Sequence, residues 1–363
     1  MSSPRTIQMS VDCIGGVWTY ALELVRALNM YGIRVVLATF GRKLSPAQAR
    51  EAAALHNAEV CESTFRLEWM DEPWEDIARA GDWLMHIQEQ FRPDLVHLNH
   101  YAHGNLDWKA PVLVVGHSCV LSWWRAVKGG DAPESWNRYA DAVGEGVRAA
   151  DMVVAPSEFM LEELQRLYGP LPCSLVIPNG RALPPAPPVA KEPFIFASGR
   201  LWDHAKNIQM LCDIARELPW PVYVAGEIAD GVCLKHVVGL GQLSSAEMAS
   251  YLSRASIYAL PARYEPFGLS VLEAALAGCA LVLGDVPSLR QIWDGAALFT
   301  SPKDPCELRD SITRLIKDET LRNNLVGAAR RTAAYYTPER LAANYVKVYR
   351  SMVSEKAEVL CAS

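Results

Sequence analysis

The 363-residue sequence predicts an α/β protein built from two doubly wound, Rossmann-like domains. Short apolar runs of strand length, such as 112–116 and 280–283, alternate with amphipathic stretches of helical length, the rhythm of βα units with parallel strands. The length suffices for two cores of ordinary size. Between residues 183 and 193 the prolines are too dense for a sheet or a helix, so this stretch reads as a stiff linker. It separates a first domain, 1–182, from a second, 194–337, and a last helix begins near residue 338.

The first domain opens with a strand at 6–11 and a turn, Ile14-Gly15-Gly16. Glycines between a strand and a helix let a phosphate or sugar approach the backbone closely, although such a turn also forms without a ligand. A helix at 17–30, a strand at 33–40, helices at 45–57 and 74–91, and strands at 95–98 and 112–116 follow. His117 comes directly after the last of these, at a strand's carboxyl end, where a histidine serves either structure or chemistry. In Ser122-Trp-Trp-Arg-Ala-Val-Lys-Gly-Gly130, Trp123, Trp124 and Arg125 suit either core packing or an acceptor-facing surface, because aromatic rings stack on sugars and bury apolar chains equally well. A strand at 152–155, a helix at 158–168 capped by Ser157, and a strand at 175–177 complete the domain.

The second domain starts with a buried strand at 194–198, then Gly199-Arg200-Leu-Trp-Asp-His-Ala-Lys206-Asn207 and a helix to about 218. Arg200 and Lys206 are cations in a loop at a strand's carboxyl end, able to neutralise a diphosphate, Arg as a bidentate clamp and Lys as a point charge. Further strands are expected at 222–225 and 237–241. The stretch 256–285 organises the rest. Its apolar run 257–260 is stopped by Pro261, Pro266 suits a first helical position, Leu269, Leu272 and Leu276 share a helical face, and Gly278 suits a left-handed cap before the strand at 280–283. Glu265 precedes this helix and Glu273 lies in its second turn. Both border a strand's carboxyl end, together with the backbone N–H groups of Phe267, Gly268 and Leu269. Amide donors favour an anion, and a carboxylate beside it can accept from hydroxyls, so the unit predicts a ligand carrying phosphate and sugar together. A strand at 297–300 and helices at 307–317, 321–335 and 338–354 close the chain.

With 21% charged and 50% apolar residues, the composition is that of an ordinary globular protein. The net charge of −6 argues against a nucleic-acid partner, which calls for a basic face. A local basic patch would still suffice for peripheral contact with the inner face of a membrane. The nine cysteines form no C-x-x-C pair, so neither a zinc site nor a disulfide framework is expected. With no apolar leader and no long apolar run, a cytoplasmic location is expected. Oligomeric state is not legible.

Glu265-Pro-Phe-Gly-Leu-Ser-Val-Leu-Glu273, followed by Ala-Ala-Leu-Ala-Gly, resembles the E-x7-E signature of retaining nucleotide-sugar glycosyltransferases of the GT-B fold, family 4. Nearly the whole chain follows the pattern. The resemblance implies two Rossmann-like domains facing a cleft, with the C-terminal helix crossing back to the first. It implies an acceptor side in 1–182 and a UDP- or GDP-sugar donor side in 194–337. It gives Gly15 and Gly16 as donor contacts, His117 near the reacting carbon, Arg200 and Lys206 on the donor phosphates, Glu265 on the transferred sugar and Glu273 on the ribose. The acceptor would be a glycan, a lipid-linked sugar or a small molecule. Three departures stand out. Asn179-Gly180-Arg181-Ala182 replaces the usual N-G-[VI]-D, one extra residue separates Arg200 from Lys206, and Asn207 replaces a frequent Gly.

No D-x-D motif is present to hold a divalent cation, so no cofactor or metal is expected beyond the co-substrate. The resemblance implies retention, and no carboxylate stands out as a covalent nucleophile, which favours same-face attack through an oxocarbenium-like state. Two alternatives share the fold: an epimerase of nucleotide sugars, disfavoured by the E-P-F-G-L run, and a catalytically inactive subunit, which should lack one of the motif residues. A phosphorylase would be far longer.

Overall fold

A computed structural model describes residues 3–171, 173–183, 189–227 and 234–362, with only the backbone of 355–362. Residues 184–188 of the expected linker lie outside this set. Two compact units form. One comprises Met1–Arg125, Gly130–Gly180 and Pro338–Ser363, and the other Ala126–Gly129 and Arg181–Thr337.

The first unit holds seven strands: β1 (Thr6–Asp12), β2 (Arg34–Phe40), β3 (Ala58–Cys61), β4 (Leu95–Leu98), β5 (Val112–Val115), β6 (Met152–Ala155) and β7 (Ser174–Val176). They pair in parallel in the order β3-β2-β1-β4-β5-β6-β7. The chain first winds outward from β1 to β3 and then returns to β4 on the other side, so β1 and β4 flank the topological switch point. The inner strands are apolar throughout because helices cover both faces: Ile7, Met9, Val11, Leu113 and Val114 are fully buried.

The C-terminal helix Pro338–Ala362 belongs to this unit. Leu341, Ala342, Tyr345, Val346, Tyr349 and Met352 are buried at spacings of one to four residues, the stripe that a helix turns towards a core. Tyr345 stacks edge-on against Tyr20 of the helix Gly16–Leu28 with ring centroids 6.2 Å apart.

The second unit repeats the plan with β8 (Glu192–Ser198), β9 (Val222–Ala225), β10 (Val238–Gly239), β11 (Ala255–Leu260), β12 (Ala280–Gly284) and β13 (Ala297–Thr300). The order is β10-β9-β8-β11-β12-β13, all parallel, with the switch between β8 and β11. No helix among the described residues is long and apolar enough to cross a membrane.

One local expectation is corrected. Pro266 is not the first helical residue: the helix is Leu269–Leu276, and Gly268 before it has φ +89°. A left-handed residue cannot sit inside a right-handed helix, so the helix begins only after Gly268, where any side chain would be strained. At the other end Gly278, φ +79°, and Cys279 donate to the carbonyls of Ala275 and Ala274, a left-handed cap.

Candidate active site

In the second unit, the site forms where the loops after β8 and β11 part at the switch point. Lys206, from the first loop, donates through Nζ to Oε2 of Glu265, from the second, at 2.5 Å. The side chains are only 17% and 10% exposed, so the pair is largely desolvated and each charge depends on the other.

The loop that carries Lys206 is built on Asp203. Its Oδ1 accepts from the Ala205 N–H at 2.9 Å, its Oδ2 accepts from Arg200 at 2.9 Å, and its carbonyl accepts from the Lys206 N–H. Arg200 also lies over the Trp202 ring, 5.3 Å from its centroid. Asn207 has φ +55°, the conformation a glycine would supply, which Asn tolerates better than other side chains. Its Nδ2 then donates to the Pro261 and Pro302 carbonyls at 2.9 and 3.0 Å, tying the β8 loop to the β11 loop. The Arg263 N–H reinforces the tie by donating to the Ala205 carbonyl at 2.8 Å. These bonds brace the loop that holds the Lys206 ammonium beside Glu265. The Glu265 backbone is held in turn by the Ser288 hydroxyl, which donates to its carbonyl.

Glu273 sits one helical turn from the N–H groups of Leu269, Ser270 and Val271, the donors that begin the helix. Its Oε1 accepts from Nε of Arg181 at 2.7 Å, with side chains 14% and 12% exposed. Sequence reasoning missed Arg181, reading residues 181–182 only as a lost Asp. The signal was a basic residue in a segment that carries none in the usual pattern, but its partner is 92 residues away. The Arg181 N–H also donates to the Tyr336 carbonyl at 3.0 Å, and the Tyr336 ring packs edge-on against Phe267, whose side chain is buried in the core. Arg181 therefore fixes the orientation of the Glu273 carboxylate. Because the resemblance implies that Glu273 holds the ribose of a sugar nucleotide, Arg181→Ala is expected to raise the donor concentration needed for half-saturation about tenfold, with kcat changed less than Glu265→Gln changes it; steady-state kinetics against Glu273→Gln checks this.

In the first unit, the exposed Gly15 and Gly16 follow β1, and Gly15 caps the helix with φ +89°. His117 follows β5. Its Nε2 lies 2.8 Å from Oδ1 of Asn99, and its ring meets Tyr20 edge-on at 4.5 Å. Burial pushes its imidazole down to about 3. It is neutral at physiological pH, as is His97, pushed down to about 3 for the same reason. Trp123 and Trp124 lie half-buried on the helix Val120–Lys128, ring centroids 5.9 Å apart, and Arg125 beside them is exposed.

A sequence model described as Glycosyltransferase Family 4 matches residues 14–183, and one described as Glycosyl transferases group 1 matches 184–332. The D-inositol 3-phosphate glycosyltransferase of Kineococcus radiotolerans is 24% identical, over 94% of this chain and 92% of its own. The phosphatidyl-myo-inositol mannosyltransferase of Mycobacterium tuberculosis is 30% identical over 135 residues, 35% of this chain and 36% of its own. Among solved structures, sucrose-phosphate synthase from Thermosynechococcus elongatus aligns with a TM-score of 0.78 at 20% identity, covering 97% of this chain and all of that one. Anabaena Alr3699/HepE in complex with UDP and glucose aligns at 0.73 and 16% identity, covering 96% and 100%. Two parallel doubly wound units of this order, with an E-x7-E helix at the second switch point, are those of a GT-B glycosyltransferase. The chain belongs to the family 4, group 1 glycosyltransferases.

Proposed function

We propose that this enzyme moves a hexose from a nucleoside-diphosphate sugar to a hydroxyl acceptor with retention of configuration and without a metal ion. The observation that carries the proposal is the desolvated Lys206–Glu265 pair at the β8/β11 switch point, beside the N-terminus of the helix Leu269–Leu276. The second unit is the donor side and the first the acceptor side. The donor diphosphate takes the Lys206 ammonium, the Arg200 guanidinium and the amides from Gly268 onward; Glu265, released from Lys206, accepts from the transferred sugar's hydroxyls. Glu273, oriented by Arg181, accepts from the ribose. The relatives' names support a glycosyl donor, and Anabaena Alr3699/HepE was solved with UDP and glucose.

The bond between the anomeric carbon and the diphosphate oxygen breaks, and its electron pair leaves with the diphosphate. Cations fixed before that charge develops lower the barrier more than they tighten ground-state binding. The acceptor oxygen attacks from the same face and its proton passes to the departing phosphate oxygen. His117 contacts the sugar as a neutral imidazole, and the helix with Trp123, Trp124 and Arg125 faces the acceptor.

Thermal unfolding with UDP-glucose, GDP-mannose and ADP-glucose tests the donor class: saturation at a hundredfold Kd with one of them should stabilise the native state by about 2.7 kcal/mol. No shift with any of the three would count against it. Turnover with that donor should survive excess EDTA. Loss of turnover, restored by magnesium or manganese, would contradict the cation-clamp account.

A further inference from the structure

His117 does not stand alone in its unit. Asn99, just beyond the end of β4, is 7% exposed and held at three points. Its N–H donates to Oγ of Ser10 at 2.9 Å and its Nδ2 donates to the Ser10 carbonyl at 2.7 Å. A carbonyl only accepts, so the amide nitrogen must face Ser10 and Oδ1 must face the other way. Two imidazole nitrogens approach that oxygen: Nε2 of His117 at 2.8 Å and Nε2 of His97 at 3.2 Å. Since Oδ1 has no hydrogen, Nε2 of His117, the nearer of the two, carries one. Nδ1 of His97 pairs with the Tyr349 hydroxyl at 2.7 Å.

We infer that Asn99 is a positioning residue that fixes His117 as its Nε2–H tautomer, leaving Nδ1 as the ring nitrogen that accepts a hydrogen bond from a sugar hydroxyl. The inference rests on the proposal that His117 contacts the transferred sugar and adds the direction of that contact. A neutral imidazole has one donor and one acceptor nitrogen, so whatever holds the donor decides what the other can do. Tyr20 from the helix Gly16–Leu28 packs edge-on against the His117 ring, and one layer further Tyr345 and Tyr349 from the C-terminal helix surround His97, none of them charged at neutral pH. Asn99 thus supplies an uncharged acceptor where a carboxylate would draw a proton onto the ring. Through His97 and Tyr349, the C-terminal helix belongs to the same chain of bonds.

Nitrogen-15 NMR of the histidine-labelled full-length protein, with the His117 signals assigned by their absence in His117→Gln, reads the tautomer directly. A protonated Nε2 and an unprotonated Nδ1 at pH 7 are expected; Nδ1–H, or an imidazolium, would overturn the inference. Kinetics supplies the second test, using whichever of UDP-glucose, GDP-mannose and ADP-glucose is turned over. Asn99→Ala should lower kcat at least about tenfold in the wild-type background and less than about twofold in His117→Ala, because a residue that acts through another loses its effect with it. Equal factors in both backgrounds would overturn it. A His117→Ala enzyme with wild-type turnover would instead remove the role given to His117, an outcome separate from the tautomer that NMR reads.

Discussion

Glu265→Gln is expected to lower kcat by about two to three orders of magnitude and to change the donor KM by only a few-fold. The substitution keeps the size of the side chain and one carbonyl acceptor, and removes the charge that, in the proposed function, faces the transferred sugar as the ring becomes oxocarbenium-like. That interaction grows towards the transition state, so its loss falls on kcat. Lys206→Ala should behave differently. It removes the ammonium with which the Glu265 carboxylate, 10% exposed, is paired. Truncating one partner of a buried pair costs about 3 kcal/mol or more, so Lys206→Ala should lose stability as well as donor affinity. Lys206→Met, which retains most of the stem packed against Gly199, separates the charge from the packing. Chemical unfolding and steady-state kinetics on the three variants decide this. A Glu265→Gln enzyme with unchanged kcat would place the donor sugar elsewhere.

The second large effect is acid instability of the first unit. Burial holds His97 and His117 down to about 3 and His103 to about 4, and His100 lies well below its ordinary value, with the His103 charge adding to burial. The unfolded chain protonates these groups near pH 6.5, whereas the folded chain does not until far lower. Their contribution to stability is therefore fully present above about pH 6.5 and is lost progressively as pH falls towards their folded values. Each histidine that stays neutral contributes a slope of about 1.4 kcal/mol per pH unit, so four approach about 5.5 kcal/mol per unit. Glu68 acts in the opposite sense. Burial raises its carboxyl, so the folded state holds that proton longer than the unfolded one, and the slope shrinks by up to one proton near pH 5. Urea midpoints measured at half-unit steps from pH 7.5 to 5 should fall steeply below 6.5. A flat profile would mean that water reaches these imidazoles.

The two sheets were legible because a strand buried on both faces has to be apolar: the runs at 95–98, 152–155 and 222–225 coincide with β4, β6 and β9. Edge strand β3 was not. Ala58-Glu-Val-Cys61 is half-exposed and carries a glutamate, so it shows no apolar run. The helices Val120–Lys128, Asn137–Ala149, Ser245–Arg254 and Pro287–Trp293 were also missed. Asn137–Ala149 contains Gly144 and Gly146, which weaken a helical signal, and Pro287–Trp293 spans only seven residues. The E-x7-E helix was legible in position but not at its start, because Gly268 rather than Pro266 sets the turn.

For the candidate site, the sequence offered candidate residues but not the partners they meet in the structure. The Lys206–Glu265 and Arg181–Glu273 contacts join positions 59 and 92 residues apart, and no local pattern reports such pairs. Asn99 escaped notice for a related reason. It follows a strand as an ordinary polar residue, and only the amide orientation imposed by Ser10 reveals what its oxygen does.

The proposed function requires that a nucleoside diphosphate bind the second unit through Lys206. Isothermal titration of UDP, GDP and ADP into the wild-type protein and into Lys206→Met, in buffer containing EDTA, measures this without any acceptor. One of the three should bind the wild-type protein, and its Kd should rise at least about tenfold, roughly 1.4 kcal/mol, in Lys206→Met. Binding of none of them, or an affinity that Lys206→Met leaves unchanged, would contradict it.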